Sequence, residues 1–237
     1  MDTTLTRNDI RAVLAELIGT LVFVLLGTSS VVAAVNAWGG GSSVAIVIAV
    51  AHGLAIIVVV GFTAKLSGGH INPAVTVAMM FSRHIGIFRG VLYIVAQAVG
   101  AVIGSLLVKW VVPNALEGNL GAHGLGGGAT AGEGLLLEII LTFILLLVIY
   151  NVAVGKRAAV SAPVAIGLTV LILHFSGLAF TGASMNPARS FGPAIVGNVW
   201  ADFWIYILGP AIGAIAMSIV WQIWKTIGDD NLEEEAA

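Results

Sequence analysis

The triplet Asn-Pro-Ala occurs twice in the chain, as Asn72-Pro73-Ala74 and as Asn186-Pro187-Ala188. Asn is a strong N-cap because its side-chain oxygen accepts from N–H groups of the first helical turn. Pro suits the first helical position, where its missing N–H is not needed. Each triplet therefore predicts a helix start, one helix running from Asn72 to about Ser82 and the other from Asn186 to about Val196. A dozen residues at about 1.5 Å each rise roughly 18 Å, about half the depth of a bilayer's hydrocarbon. A segment that stops at the midplane must turn its free backbone groups to protein or water. Two such half-helices entering from opposite faces would meet tip to tip. Their N-termini, each equivalent to about half a positive charge, would then point at the membrane centre, and Arg189 adds a full charge directly after the second triplet.

Other chemistry is scarce. The chain has no cysteine, its five histidines are scattered, and no nucleophile, metal-ligand cluster or phosphate-binding loop stands out. An enzyme, a metal centre, a cofactor site and a nucleic-acid-binding surface are all unexpected. Glu16 and Glu138 are the carboxylates well inside apolar stretches, with Asp202 at the edge of another. An ionisable group at such depth is a functional candidate by default.

The elements that must position these residues are membrane spans. Hydrophobic residues make up 59% of the chain and charged residues 9%, and the mean hydropathy is +1.05. Soluble domains carry about a quarter charged residues, so the apolar surface here needs lipid. Six long apolar segments run roughly from Ala12 to Val35, Ser43 to Ala64, Ile85 to Val112, Gly134 to Val154, Val160 to Leu178 and Trp200 to Trp224. Each approaches the roughly 20 residues that a spanning helix needs. The glycine pairs Gly86/Gly90, Gly100/Gly104 and Gly209/Gly213 have the spacing that lets helix backbones approach closely. Arg7, Arg11, Lys65, Arg83, Arg89, Lys156, Arg157 and Lys225 fall at the ends that share one side. The positive-inside rule puts both termini in the cytoplasm. The acidic end, 228–237, reads as a solvated cytoplasmic tail.

The chain also repeats. Ala-Glu-Leu-Ile-Gly-Thr at 15–20 echoes Leu-Glu-Ile-Ile-Leu-Thr at 137–142, and His-Ile-Asn-Pro-Ala-Val at 70–75 echoes Ser-Met-Asn-Pro-Ala-Arg at 184–189. Residues of about 10–112 and 133–225 thus form two halves of one channel domain covering 1–237. Three spans in each half invert the second relative to the first, as in many membrane proteins with a central site. The predicted class is an all-α membrane protein: six transmembrane helices plus two re-entrant half-helices in an inverted repeat.

At this level of detail the chain resembles the aquaporins, the major intrinsic protein family. The resemblance rests on the doubled Asn-Pro-Ala, Ser-Gly-Gly-His-Ile-Asn-Pro-Ala-Val-Thr at 67–76 and Asn-Pro-Ala-Arg-Ser-Phe-Gly-Pro-Ala at 186–194. Ala-Glu in the first helix, Tyr93, Gln97 and Gly100-Ala101 in the third and Gly209-Pro210 in the sixth also match. It implies an hourglass fold, a pore in every subunit, a homotetramer in the bilayer and water as the main solute. It also implies that Glu16 and Glu138 anchor the re-entrant loops; the other role open to them, a proton relay, would undo a channel that blocks protons. Asn72 and Asn186 would each offer an amide donor to a passing water oxygen, and Arg189 with the helix ends would repel cations. Carbonyls of Gly68, Gly69, His70, Gly182 and Ser184 would line a polar ladder opposite an apolar wall.

The family's selectivity filter maps onto His52, His174, Ala183 and Arg189. His174 and Arg189 match water-selective members. His52 with a small residue at 183 is similar to the tonoplast intrinsic proteins, which mostly carry an aliphatic residue where His174 stands. In that subfamily a loop His matching His123 reaches the filter Arg; an exposed loop residue is the other reading of His123. His70 and His84 are expected to be structural. The mixed filter makes ammonia a second candidate solute, with a neutral His52 as an acceptor. Glycerol facilitators resemble the chain too, but carry Asp where Ser190 stands and a basic residue where Ala194 stands. A secondary transporter would also use inverted repeats and broken helices, yet no spare deep acid is present for a coupling ion.

Overall fold

The structure, a computed structural model, describes residues 6–41, 43–156 and 160–228. Arg157 and the acidic tail beyond Gly228 lie outside the described residues. Helix α1 (Arg7–Val32) is followed by a π-helical turn at Ala33–Ala37, then α2 (Val44–Ser67), the short α3 (Pro73–Phe81) and α4 (Ile87–Val111). The second half repeats the order: α5 (Ala131–Ile149) with a π-helical turn at Tyr150–Val154, α6 (Ala162–Thr181), the short α7 (Pro187–Gly197) and α8 (Ile205–Gly228). Six of these helices are long and apolar enough to cross a membrane.

Local chemistry sets the ends alike in both halves. A capping box starts α1, with Thr6 and Asp9 exchanging side-chain and backbone hydrogen bonds, and another starts α5 from Thr130 and Glu133. Such a box satisfies N–H groups that the first turn leaves unpaired. Helices α2 and α6 both stop on a left-handed glycine, Gly68 at φ 96° and Gly182 at φ 81°, a conformation that only glycine adopts without strain. The last span starts later than the apolar run suggests. Ala201 to Trp204 form turns, with Asp202 left-handed at φ 51°, and Trp200, Phe203 and Phe191 cluster by their rings.

Close packing follows the small residues. A Cβ on Gly100 or Gly104 would strike the carbonyls of Leu17 or Leu21, so α4 lies backbone to backbone on α1. For α8 against α5, a Cβ on Gly213 would strike the Ile139 carbonyl and one on Gly209 the Cβ of Glu138. Between α2 and α6, Gly53 and Gly167 each face the other's carbonyl oxygen. Of the remaining pair, Gly90 makes room for the Met80 side chain of α3 against α4, whereas Gly86 faces open space before α4 begins, so only one glycine of that pair marks a helix–helix contact. Large apolar side chains, among them Leu54, Val58, Val95 and Ile172, point outward. This is the surface expected of helices whose backbone bonds are all internal and whose outer solvent is lipid.

Candidate functional site

Helices α3 and α7 meet at their N-termini. Asn72 Oδ1 accepts from Ala74 N at 2.8 Å, and Asn186 Oδ1 accepts from Ala188 N at 3.0 Å and Arg189 N at 3.3 Å. These caps fix which way each amide nitrogen points. Asn72 Nδ2 donates to Met185 O at 2.8 Å, and Asn186 Nδ2 donates to Ile71 O at 3.0 Å. Each triplet is therefore tied to the loop of the other half. A primary amide has two N–H donors, so one on each Asn remains for a solute.

The loops before the triplets are held by the two buried glutamates. Glu16 accepts from His70 N (2.9 Å), Ile71 N (2.6 Å), Ser67 Oγ (2.6 Å) and Gln97 Nε2 (2.8 Å). Glu138 accepts from Ser184 N (2.9 Å), Met185 N (2.8 Å) and Thr181 Oγ1 (2.7 Å). Ile71 and Met185 are left-handed, at φ 55° and 52°, which costs roughly 1–2 kcal/mol per residue. Hydrogen bonds to an ionised carboxylate, about 1.5–3 kcal/mol each, offset that cost. The sequence marks both glutamates; Gln97 and the Ser67/Thr181 hydroxyls are the further anchors, visible only once the loops are placed.

Two cavities adjoin these residues. An inner one of about 230 Å³ is lined by Asn72, Asn186, His174, Gly68, Gly69 and His70, with Ser184 and an apolar wall that includes Val60, Val75 and Ile166. An outer one of about 300 Å³ is lined by Arg189, Gly121, His123 and Gly182 among others. His174, in the lining of the inner cavity, and His52, which hydrogen-bonds Arg189 of the outer one, are both buried, their ring centroids 4.4 Å apart. Ala183 is buried against Gly177 of α6, where an added Cβ would lie 3.1 Å from Ala183 Cβ.

Hydrogen bonds assign the tautomers here. His52 Nδ1 lies 2.9 Å from Ile48 O and His174 Nδ1 lies 2.8 Å from Val170 O. A carbonyl oxygen only accepts, so both Nδ1 atoms carry a proton, and in the neutral ring Nε2 is then the acceptor. His52 Nε2 accepts from Arg189 Nε at 3.1 Å, and Arg189 Nη1 donates to Gly121 O at 2.8 Å. Two expectations change as a result. The lone pair of His52, assigned above to ammonia, is engaged by Arg189, and His174 Nε2 is the imidazole acceptor bordering the inner cavity. His123 is not the partner of Arg189: its Nδ1 bonds Ser190 Oγ at 2.8 Å, and Ser190 Oγ lies 2.6 Å from Ser184 Oγ, which donates to Asn186 O at 3.1 Å. His123 is also no exposed loop residue, being 7% accessible and packed on the Tyr206 ring. Burial, and after it the Arg189 charge, hold its pKa well below that of free imidazole.

The two histidines expected to be structural make local bonds. His70 Nδ1 lies 3.1 Å from Thr76 Oγ1, and His84 Nδ1 lies 2.8 Å from Ser82 Oγ. Ser82 Oγ in turn accepts from Tyr150 Oη at 2.9 Å. The residue that sequence reasoning missed is Gly121, whose carbonyl is the second acceptor for Arg189. Nothing in the aperiodic stretch between α4 and α5 marks it beyond being one glycine among several.

Six spanning helices with two opposed half-helices between them define an integral, multi-pass membrane protein of the re-entrant-loop class. The chain belongs to the major intrinsic protein family, whose model matches residues 3–221. It is 44% identical to aquaporin-4 of Mus musculus over 218 residues, 90% of this chain and 66% of that protein, just under two thirds of its length. It is 42% identical to aquaporin TIP4-4 of Zea mays over 217 residues, 90% of this chain and 85% of that one. The aquaglyceroporin of Plasmodium falciparum shares the fold, with a TM-score of 0.82 over 93% of this chain and 98% of that one at 23% identity.

Proposed function

We propose that the chain is a passive water channel that excludes protons and ions. The observation that carries this reading is the reciprocal pair Asn72–Met185 and Asn186–Ile71, which leaves two amide donors at one point of the inner cavity. A water there accepts from both, so its lone pairs are used and it cannot accept from the next water in file. A proton relay is interrupted at that molecule. The helix N-termini and Arg189 oppose any cation, hydronium included. Gly68, Gly69, His70 and Ser184 supply acceptors along one side, since the N–H groups of His70 and Ser184 are turned to Glu16 and Glu138. The facing wall is apolar, so water passes without being held.

His52, His174, Ala183 and Arg189 form the selectivity filter in this reading. Arg189 is drawn to one side by its two acceptors, and His174 Nε2 is left for the solute. That free acceptor supports ammonia as a second solute, because ammonia offers three donors. Glycerol is excluded: two imidazoles and a guanidinium offer no apolar wall for a carbon chain, and Ser190 is spent on the His123–Ser184 chain. The assembly is a homotetramer with both termini cytoplasmic. The Arg89–Asp9 ion pair and the Gln222–Phe81 contact gather the starts of α1 and α4 and the ends of α3 and α8 at one, basic, end. Stopped-flow light scattering of proteoliposomes under sucrose, glycerol and ammonium gradients tests the proposal. Fast water flux without glycerol entry is expected. Collapse of a pH gradient faster than in empty liposomes, or glycerol flux matching that of water, refutes it.

A further inference from the structure

We infer that Gly27, in the wall of α1 and outside the passage, is a positioning residue for Arg189 and thereby sets the aperture. The inference rests on the filter reading of Arg189 given above. A Cβ on Gly27 would lie 2.7 Å from His52 Nε2, 3.0 Å from Cδ2 and 3.2 Å from Cε1. The edge of the imidazole that accepts from Arg189 is thus seated against a backbone that only glycine leaves open. The ring is fixed on its other edge by the Nδ1–Ile48 bond and is met edge-on by Phe23, one turn before Gly27, at 5.8 Å between centroids.

The second acceptor leans on the same stretch of α1. A Cβ on Gly121 would lie 3.2 Å from both Thr28 O and Val31 Cβ. Gly121 is left-handed at φ 71°, which turns its carbonyl to Arg189 Nη1 while its α-carbon rests on the helix. Both acceptors of the guanidinium are therefore seated on residues 27–31, and the side chain is drawn toward α1. A side chain at 27 would push the His52 ring off its seat. Arg189 Nε would lose its acceptor and the guanidinium would relax across the passage.

The test is a mutant cycle on the full chain in liposomes, reading water permeability per inserted channel. Gly27→Ala is expected to lower it about tenfold, the equilibrium shift that one lost charge-assisted hydrogen bond gives. In an Arg189→Ala background the same substitution should change nothing, because the group being positioned is gone. A packing defect alone would lower permeability in both backgrounds. Equal losses in the two backgrounds, or no loss in either, overturn the inference. Should Gly27→Ala fail to fold, Gly27→Ala with His52→Ala is compared with His52→Ala alone. Equal permeabilities support action through the ring, and a further loss overturns it. Arg189→Ala by itself tests the underlying reading: it should admit glycerol. If it leaves both glycerol exclusion and water permeability as in the parent, the filter reading falls. If it changes them while Gly27→Ala does not, only the role of Gly27 falls.

Discussion

Replacing Glu138 by Gln should close the channel without unfolding it. The carboxylate accepts three hydrogen bonds, two at Oε1 from Thr181 Oγ1 and Ser184 N, and one at Oε2 from Met185 N. An amide keeps one oxygen. If that oxygen stays with Thr181 and Ser184, the amide NH₂ faces the N–H of Met185, donor against donor. The loss of a charge-assisted bond, with a buried N–H left unpaired, costs about 3 kcal/mol. Met185 holds its left-handed backbone against a penalty of roughly 1–2 kcal/mol, so the loop no longer favours it. A shift of that size is about a hundredfold in equilibrium. Met185 O is the acceptor for Asn72 Nδ2, so the disturbance reaches the opposite triplet directly. We expect water permeability per channel to fall at least about tenfold. The helices should stay folded, because their burial does not depend on this group. Stopped-flow light scattering and circular dichroism on the same preparation check both halves of the claim. A Glu138→Gln protein that conducts at the parental rate with parental thermal stability would refute the anchoring argument.

With no thiol in the chain, water flux should resist mercurials, and Ala183→Cys should confer inhibition that a reducing agent reverses; strong inhibition of the parent in intact liposomes would contradict the placement of Ala183. His52→Phe removes the acceptor of Arg189 Nε while keeping ring bulk, so water permeability should fall several-fold and the ammonia-to-water ratio should change; an unaltered pair of fluxes would show that the His52–Arg189 bond has no part in selection. His84, in the connection between α3 and α4, has its pKa lowered by burial and then by Lys225. The folded state therefore binds less proton than the unfolded one, so its contribution to stability is present above the free imidazole value of about 6.5 and is lost as pH falls below it. Thermal unfolding between pH 7.5 and pH 5.5 should show a smaller loss for His84→Gln than for the parent.

Much of this architecture is legible in the chain because lipid imposes strong rules. Length and hydropathy fix the six spans, and Asn with Pro fixes where α3 and α7 start, to within a residue. The glutamates stand out because a carboxylate is expensive at that depth. What stays hidden depends on contacts between segments distant in sequence. Gly121 and Arg189 meet across 68 residues, and His52 and Arg189 across 137; neither contact leaves a periodic or local trace. His123 was visible as a candidate, but its choice of Ser190 over Arg189 is set by where α7 turns the two neighbouring side chains. The apolar run reaches back to Trp200, five residues before α8 begins at Ile205, because the aromatic residues of that stretch extend it. Hydropathy does not register the left-handed Asp202 that breaks it.

The repeat builds the centre, and the proposed filter is where the two halves depart from it. At the offset that relates Asn72 to Asn186, the left-handed loop residues Ile71 and Met185, the helix-ending glycines Gly68 and Gly182 and the packed pair Gly53 and Gly167 correspond, and capping boxes and loop-anchoring glutamates recur in both halves at slightly longer offsets. Such symmetry favours a balanced midpoint, where each half supplies one amide donor and takes one from the other. Neither half could fix its own triplet alone, since the acceptor for each Asn lies in the opposite loop. The same offset relates His52 to Ile166, His174 to Val60 and Arg189 to Val75. All three of those counterparts line the apolar wall of the inner cavity. A strictly symmetric pore would carry either two charged constrictions, with water desolvated twice, or none, with nothing to sort solutes. In the filter reading proposed above, placing imidazole, imidazole and guanidinium at one end and three aliphatic side chains at the matching positions of the other concentrates the sorting at one point. The inner half is left as a smooth exit for whatever has passed.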